Sequence, residues 1–125
     1  MTLPTLADIQ SAHLRISPFI KRTPVLTSSL LNNIFGCELF FKCENFQKVG
    51  AFKFRGATNA VLSLGQENRK MGVVTHSSGN HAAALALAAR MNGIKAYIVM
   101  PENAPSVKKD AVAGYGAEIT FCKPT

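Results

Sequence analysis

The chain has 125 residues, 47% of them hydrophobic and 17% charged, with a formal charge of +7. That is enough apolar material for one small core, and no apolar run approaches the length of a membrane span. The basic residues stand in ones and twos, as in Lys21-Arg22, Arg69-Lys70 and Lys108-Lys109, and no stripe of them interleaves with aromatics. No nucleic-acid interface is expected, and a basic surface that steers anionic small molecules fits the charge as well.

Thr5-Leu6-Ala7-Asp8 resembles a capping box that opens a first helix, which Pro18 ends. Thr23 to Leu26 reads as extended chain. Ser28 or Ser29 can cap a short helix through Phe35, with Gly36 as its stop. Glu38 to Cys43 has the pattern of a short aromatic strand, and Asn45 to Gly50 that of a loop. Helical spacing runs from about Lys53 to Leu64, with Ala57, Ala60, Val61 and Leu64 on one side. Gly72 to His76 is a candidate buried strand. Asn80 to Met91 is an Ala-rich helix stopped by Asn92-Gly93. Lys95 to Met100 is a strand bounded by Pro101. Pro105 to Val112 is a helix with proline in its first turn, and Glu118 to Cys122 is a last strand. Strand and helix alternate at short spacing in the second half, which predicts an α/β fold with a parallel sheet.

The N-terminus lacks a basic region followed by an apolar one, so no secretory signal is expected. Cys37, Cys43 and Cys122 show no CxxC or Cys/His metal spacing. They read as reduced thiols of a cytoplasmic protein, with Cys43 in the core and no metal site.

Chemistry is suggested first at Lys53, in the run Gly50-Ala51-Phe52-Lys53-Phe54-Arg55-Gly56-Ala57. A lysine in apolar surroundings loses hydration of its ammonium, and more of it becomes free amine. A free amine can hold an aldehyde as a Schiff base. The plainer reading is a stem packed on Phe with its head in water. A second candidate is Thr75-His76-Ser77-Ser78-Gly79-Asn80-His81, which follows a strand and opens a helix. Ligands of open α/β sheets bind at such strand ends, and the free N–H groups of the helix suit an anion. The plainer reading is a helix capped by Ser or Asn, with Asn80 in the cap region and the two histidines packing or hydrogen-bonding.

Together the two motifs resemble the serine racemase and serine/threonine dehydratase family of fold-type II pyridoxal-phosphate enzymes. The lysine segment Phe41 to Ala57 carries the likeness, as do Ser77-Ser78-Gly79-Asn80-His81, Thr23 to Leu30 and Val99 to Pro105. The resemblance implies a three-layer, tryptophan synthase beta-like architecture. Residues 1–48 would begin the larger domain and residues 49–125 would form most of the smaller one. Family members are longer, with their phosphate cradle, pyridine-nitrogen partner and metal ligands further on, so the chain looks like an N-terminal part.

The resemblance also implies roles. Lys53 would hold pyridoxal 5'-phosphate and move the Cα proton on one face. Phe52 would pack beside the cofactor ring and Asn80 would hydrogen-bond its hydroxyl side. Ser77, Ser78, Gly79, Asn80 and His81 would bind the substrate carboxylate. Family racemases carry serine at the position of Ser78, where dehydratases usually carry alanine. A racemase needs an acid/base on the opposite face, and a hydroxyl can serve. The implied activity is racemization of L-serine to D-serine, with serine or threonine dehydration beside it. The alternatives are a dehydratase without racemase activity and a catalytically inert truncated product. ATP and Mg2+ would bind away from Lys53, the nucleotide at Ser28, Ser29, Leu30, Lys48, Val49 and Tyr115. Ala83 and Val49 replace a glutamine and a threonine common in the family and remove hydrogen bonds there. The complete protein would be a homodimer.

Overall fold

The structure is a computed structural model that describes residues 3–124. Thr5 caps α1 (Leu6–Ile16), and the reciprocal box with Asp8 forms as the sequence predicts. β1 (Val25–Leu26) pairs antiparallel with β2 (Phe41–Lys42). Between them α2 (Ser29–Phe35) is capped by the Ser28 hydroxyl and closed by Gly36 in the left-handed region. β2 is shorter than the aromatic run suggested. The Leu39 N–H is taken by the Asn32 side chain at 2.9 Å, which removes it from any ladder. Cys43 is half-buried rather than in the core, and its thiol donates to the Phe41 carbonyl.

The expected loop before Lys53 holds two short 3₁₀ turns, Glu44–Phe46 and Lys48–Gly50. Buried Gln47 fixes it. Its Oε1 accepts from the Lys21 and Lys48 N–H groups and its Nε2 donates to the Lys21 carbonyl. Val49 (φ 57°) and Gly50 (φ 68°) then turn the chain through two consecutive left-handed residues.

The turn delivers α3 (Lys53–Leu62), whose buried face is Phe54, Ala57, Thr58 and Val61. Ala60, expected on that face, is exposed, because the inward stripe is centred one residue earlier. α4 (Gln66–Met71) was not legible in the sequence. Its six residues have no apolar stripe, and it is tied back by the Arg69 guanidinium, which donates to the Leu62 and Leu64 carbonyls.

From Gly72 onward the chain is regular: β3 (Val73–His76), α5 (Asn80–Met91), β4 (Ala96–Pro101), α6 (Ser106–Gly114) and β5 (Glu118–Cys122). The three strands form a parallel sheet in the order β3-β4-β5. α5 packs on β3 and β4, and α6 packs on β5 and on α5. Parallel neighbours need a crossover each, and here the helices supply them. The core lies where alanines of α5 let the helix approach Ile98 and Met100 of β4, closed by Phe54, Val61 and Val112. α3 packs chiefly against α5, and α1 against α3.

Candidate active site

Lys53 is the first residue of α3, at the end of a turn held from two sides. On one side Gln47 grips Lys21. On the other the Arg55 guanidinium donates to both carboxylate oxygens of Glu44, at 2.8 and 2.7 Å. The Thr23 hydroxyl adds a third bond to that carboxylate at 2.6 Å. The Arg55 hydrogen bonds above all hold the Glu44 carboxyl down to about 2, and the same pairing raises Arg55. The backbone entering α3 is therefore set by charge-assisted bonds.

The Lys53 side chain is exposed, which corrects the expectation of an apolar pocket within this chain. The stripe that enters the core begins at Phe54, and Lys53 lies outside it. The Lys53 Nζ stands 5.0 Å from the centroid of the Phe52 ring, itself 59% exposed. No hydrogen bond joins Lys53 to the Ser77–His81 loop among the described residues.

The loop sits where β3 ends and α5 begins. The Ser77 N–H donates to the Val99 carbonyl, which ties the loop to the central strand. The Ser77 hydroxyl accepts from the Gly79 N–H at 3.3 Å. Gly79 is the N-cap of α5, and no side chain caps the helix. This corrects the expectation that Asn80 caps it. Asn80 is the first helical residue, and its Oδ1 accepts a 2.8 Å hydrogen bond from Lys108 of α6. A Cβ built on Gly79 would meet nothing within 4 Å, so the loop lies open. Ser78 is exposed and Gly79 and His81 are half-buried.

The helix start thus presents N–H groups without an intrahelical acceptor, and neither Ser78 nor Asn80 spends its side chain on them. Such an end takes a carboxylate or phosphate oxygen. Lys53 carries an amine and Ser78 an exposed hydroxyl, the side-chain types able to act as nucleophile and proton donor. Nearby, His76 Nε2 lies 3.9 Å from Cys122 Sγ, beside a hollow of about 110 Å3 that Pro101 and Asn103 also line.

The remaining candidates are spread out. Ser28 is occupied as the cap of α2 and Tyr115 closes α6. The Lys48 ammonium lies over the Phe54 ring and 3.9 Å from the Met91 sulfur. No hydrogen bond links Ser28, Ser29, Leu30, Lys48, Val49 and Tyr115 to one another among the described residues. Nor do any three His, Cys, Asp or Glu side chains cluster for a metal among them. A larger cleft, about 580 Å3, is lined by His13, Arg22, Lys42 and Arg55 and does not include Lys53 or the loop.

A family model described as pyridoxal-phosphate dependent enzyme matches residues 16–125. The chain is 56% identical over 125 residues to a serine racemase of Dictyostelium discoideum, covering 100% of this chain and 39% of that protein. It is 55% identical over 125 residues to a beta-hydroxyaspartate dehydratase of Paracoccus denitrificans, covering 100% of this chain and 40% of that one. The structure of maize serine racemase matches with a TM-score of 0.95 at 49% identity, over 99% of this chain and 38% of that one. The chain spans about two-fifths of the length of the relatives it matches.

Proposed function

The chain belongs to the pyridoxal-phosphate-dependent enzymes, whose family model covers residues 16–125, and from that premise we propose that it carries the lysine and carboxylate loop of a serine racemase that also dehydrates serine and threonine. The observation that carries this reading is the start of α5, where Ser78, Asn80 and the first N–H groups are left free of the helix's own capping. The residues present fit the cofactor. Lys53 offers an amine beside an aromatic ring, Phe52 offers that ring as a stacking face, and Asn80 offers its amide.

When bound, pyridoxal phosphate supplies the electron sink for charge at the substrate's Cα. The rest is the protein's work. Lys53 would hold the cofactor, and its Nζ would be the group that takes the Cα proton on one face. The N–H groups opening α5, with the Ser77 hydroxyl, would hold the substrate carboxylate and so orient Cα. Ser78 Oγ–H delivers a proton to the opposite face, which inverts the centre. In dehydration the β-hydroxyl would depart as water with the proton that Lys53 took from Cα, and water would then hydrolyse the enamine product to a keto acid and ammonia. That route needs Lys53 but not Ser78.

A dehydratase without racemase activity is the second reading. It is favoured by the near-equal identity to relatives named for each activity, 56% and 55%. Ser78→Ala in the full-length protein separates the two. With a chiral assay for D-serine and a pyruvate assay run together, racemization falls at least about 100-fold, the usual worth of a positioned acid/base. Pyruvate formation stays within about threefold. A parallel loss of both would remove the role given to Ser78.

A further inference from the structure

A cation beside the start of a helix opposes the helix dipole, yet Lys108 occupies that place. It lies in the first turn of α6, and α6 packs alongside α5, so its ammonium reaches Asn80 at the start of α5. No acidic residue stands in the first turn of either helix. Two positive helix ends and a lysine therefore meet without a carboxylate from those turns. Lysine has donors only, so the contact at 2.8 Å fixes which end of the Asn80 amide it holds. With the oxygen turned to Lys108, the NH2 group and its two donors are left to meet a ligand. An ammonium on the oxygen also polarises the amide and strengthens its N–H groups as donors.

Resting on the reading above, we propose that Lys108 is a positioning residue of the cofactor site: it locks Asn80 with its NH2 toward the ring oxygen of pyridoxal phosphate. Its neighbour Lys109 does other work, donating to the Glu102 carbonyl and lying over the Phe121 ring. The Lys-Lys pair is thus divided between holding a loop and aiming a side chain.

The test is a pyridoxal-phosphate titration of the full-length protein, read by the visible band of the lysine-linked cofactor and by protein fluorescence. Lys108→Met weakens cofactor binding about tenfold, the worth of one hydrogen bond to a charged group. Lys108→Arg restores it to within about threefold. The melting midpoint of the cofactor-free protein is the same in all three. Asn80→Ala and Lys108→Met combined are no weaker than Asn80→Ala alone, because Lys108 acts through Asn80. Native affinity in Lys108→Met, or losses that simply add in the double variant, overturn the assignment to Lys108 alone. A native protein that develops no lysine-linked band overturns the reading of Lys53 and this one with it.

Discussion

The Glu44 carboxylate takes both donors of the Arg55 fork, 2.7 and 2.8 Å away, two residues beyond Lys53. The pair pins the segment after β2 to the first turn of α3, and so decides where the lysine helix starts. With the Glu44 carboxyl lowered from 4.5 to about 2, its contribution is fully present above pH 4.5 and is lost as pH falls toward 2. Urea midpoints of the native protein therefore drop between pH 5 and about pH 2.5. Glu44→Gln starts lower at neutral pH, by roughly 1–2 kcal/mol once solvent screening of this partly exposed pair is allowed for, and shows a shallower slope. Equal slopes in the two proteins would mean that Glu44 is not the titrating group.

Gly72, between α4 and β3, has φ 89°, and a Cβ there would lie 2.8 Å from the Lys95 carbonyl oxygen and 3.0 Å from the Tyr97 ring. That carbonyl also accepts from the Val73 N–H at 2.9 Å, the bond that opens the β3-β4 ladder. Gly72→Ala should cost about 2–4 kcal/mol, from the strained φ plus displacement of backbone. A change under 1 kcal/mol in equilibrium unfolding would show that the register is set elsewhere.

Thr58 is 1% exposed on the inner face of α3, and its hydroxyl has no hydrogen-bond partner among the described residues. Thr58→Val keeps the shape and the helix propensity and removes an unpaired polar atom. Stability should rise by about 1 kcal/mol in thermal or urea unfolding. A loss of similar size would reveal a partner for the hydroxyl, such as an ordered water.

The second half of the fold was legible because its signals are local. The span of α5 follows from alanine periodicity ending at Asn92-Gly93, and β5 from its apolar alternation. α4 was not legible, because Gln66 to Met71 is stabilised by one arginine reaching back to two carbonyls, and no spacing rule registers that. β2 was over-read, since Phe40 and Phe41 have strand-forming side chains but Leu39 gives its N–H to Asn32.

The same division holds at the site. Lys53 and the Ser77–His81 loop each allow a plain reading when taken alone, and it is their occurrence together that suggests a site in the sequence. Lys108 suggests none, because a Lys-Lys pair on a helix looks like a solvated face. Only the packing of α6 beside α5 brings it to Asn80. Asn80 itself looks like a cap in the sequence because asparagine prefers that role. Gly79 holds the cap position, and the amide oxygen of Asn80 goes to a lysine 28 residues away.

The strand order β3-β4-β5 means that each new strand is added beside the one made just before it. No strand has to be threaded between two earlier ones. The sheet can thus grow outward as the polypeptide leaves the ribosome, each crossover helix closing behind it. α3 is made earlier but has its main partner in α5, so the helix that begins at Lys53 must wait for some thirty further residues before its inner face is covered. During that interval Phe54 and Val61, both 0% exposed in the finished fold, face water. The helix that carries Lys53 is thus open to premature association while the chain is still being made.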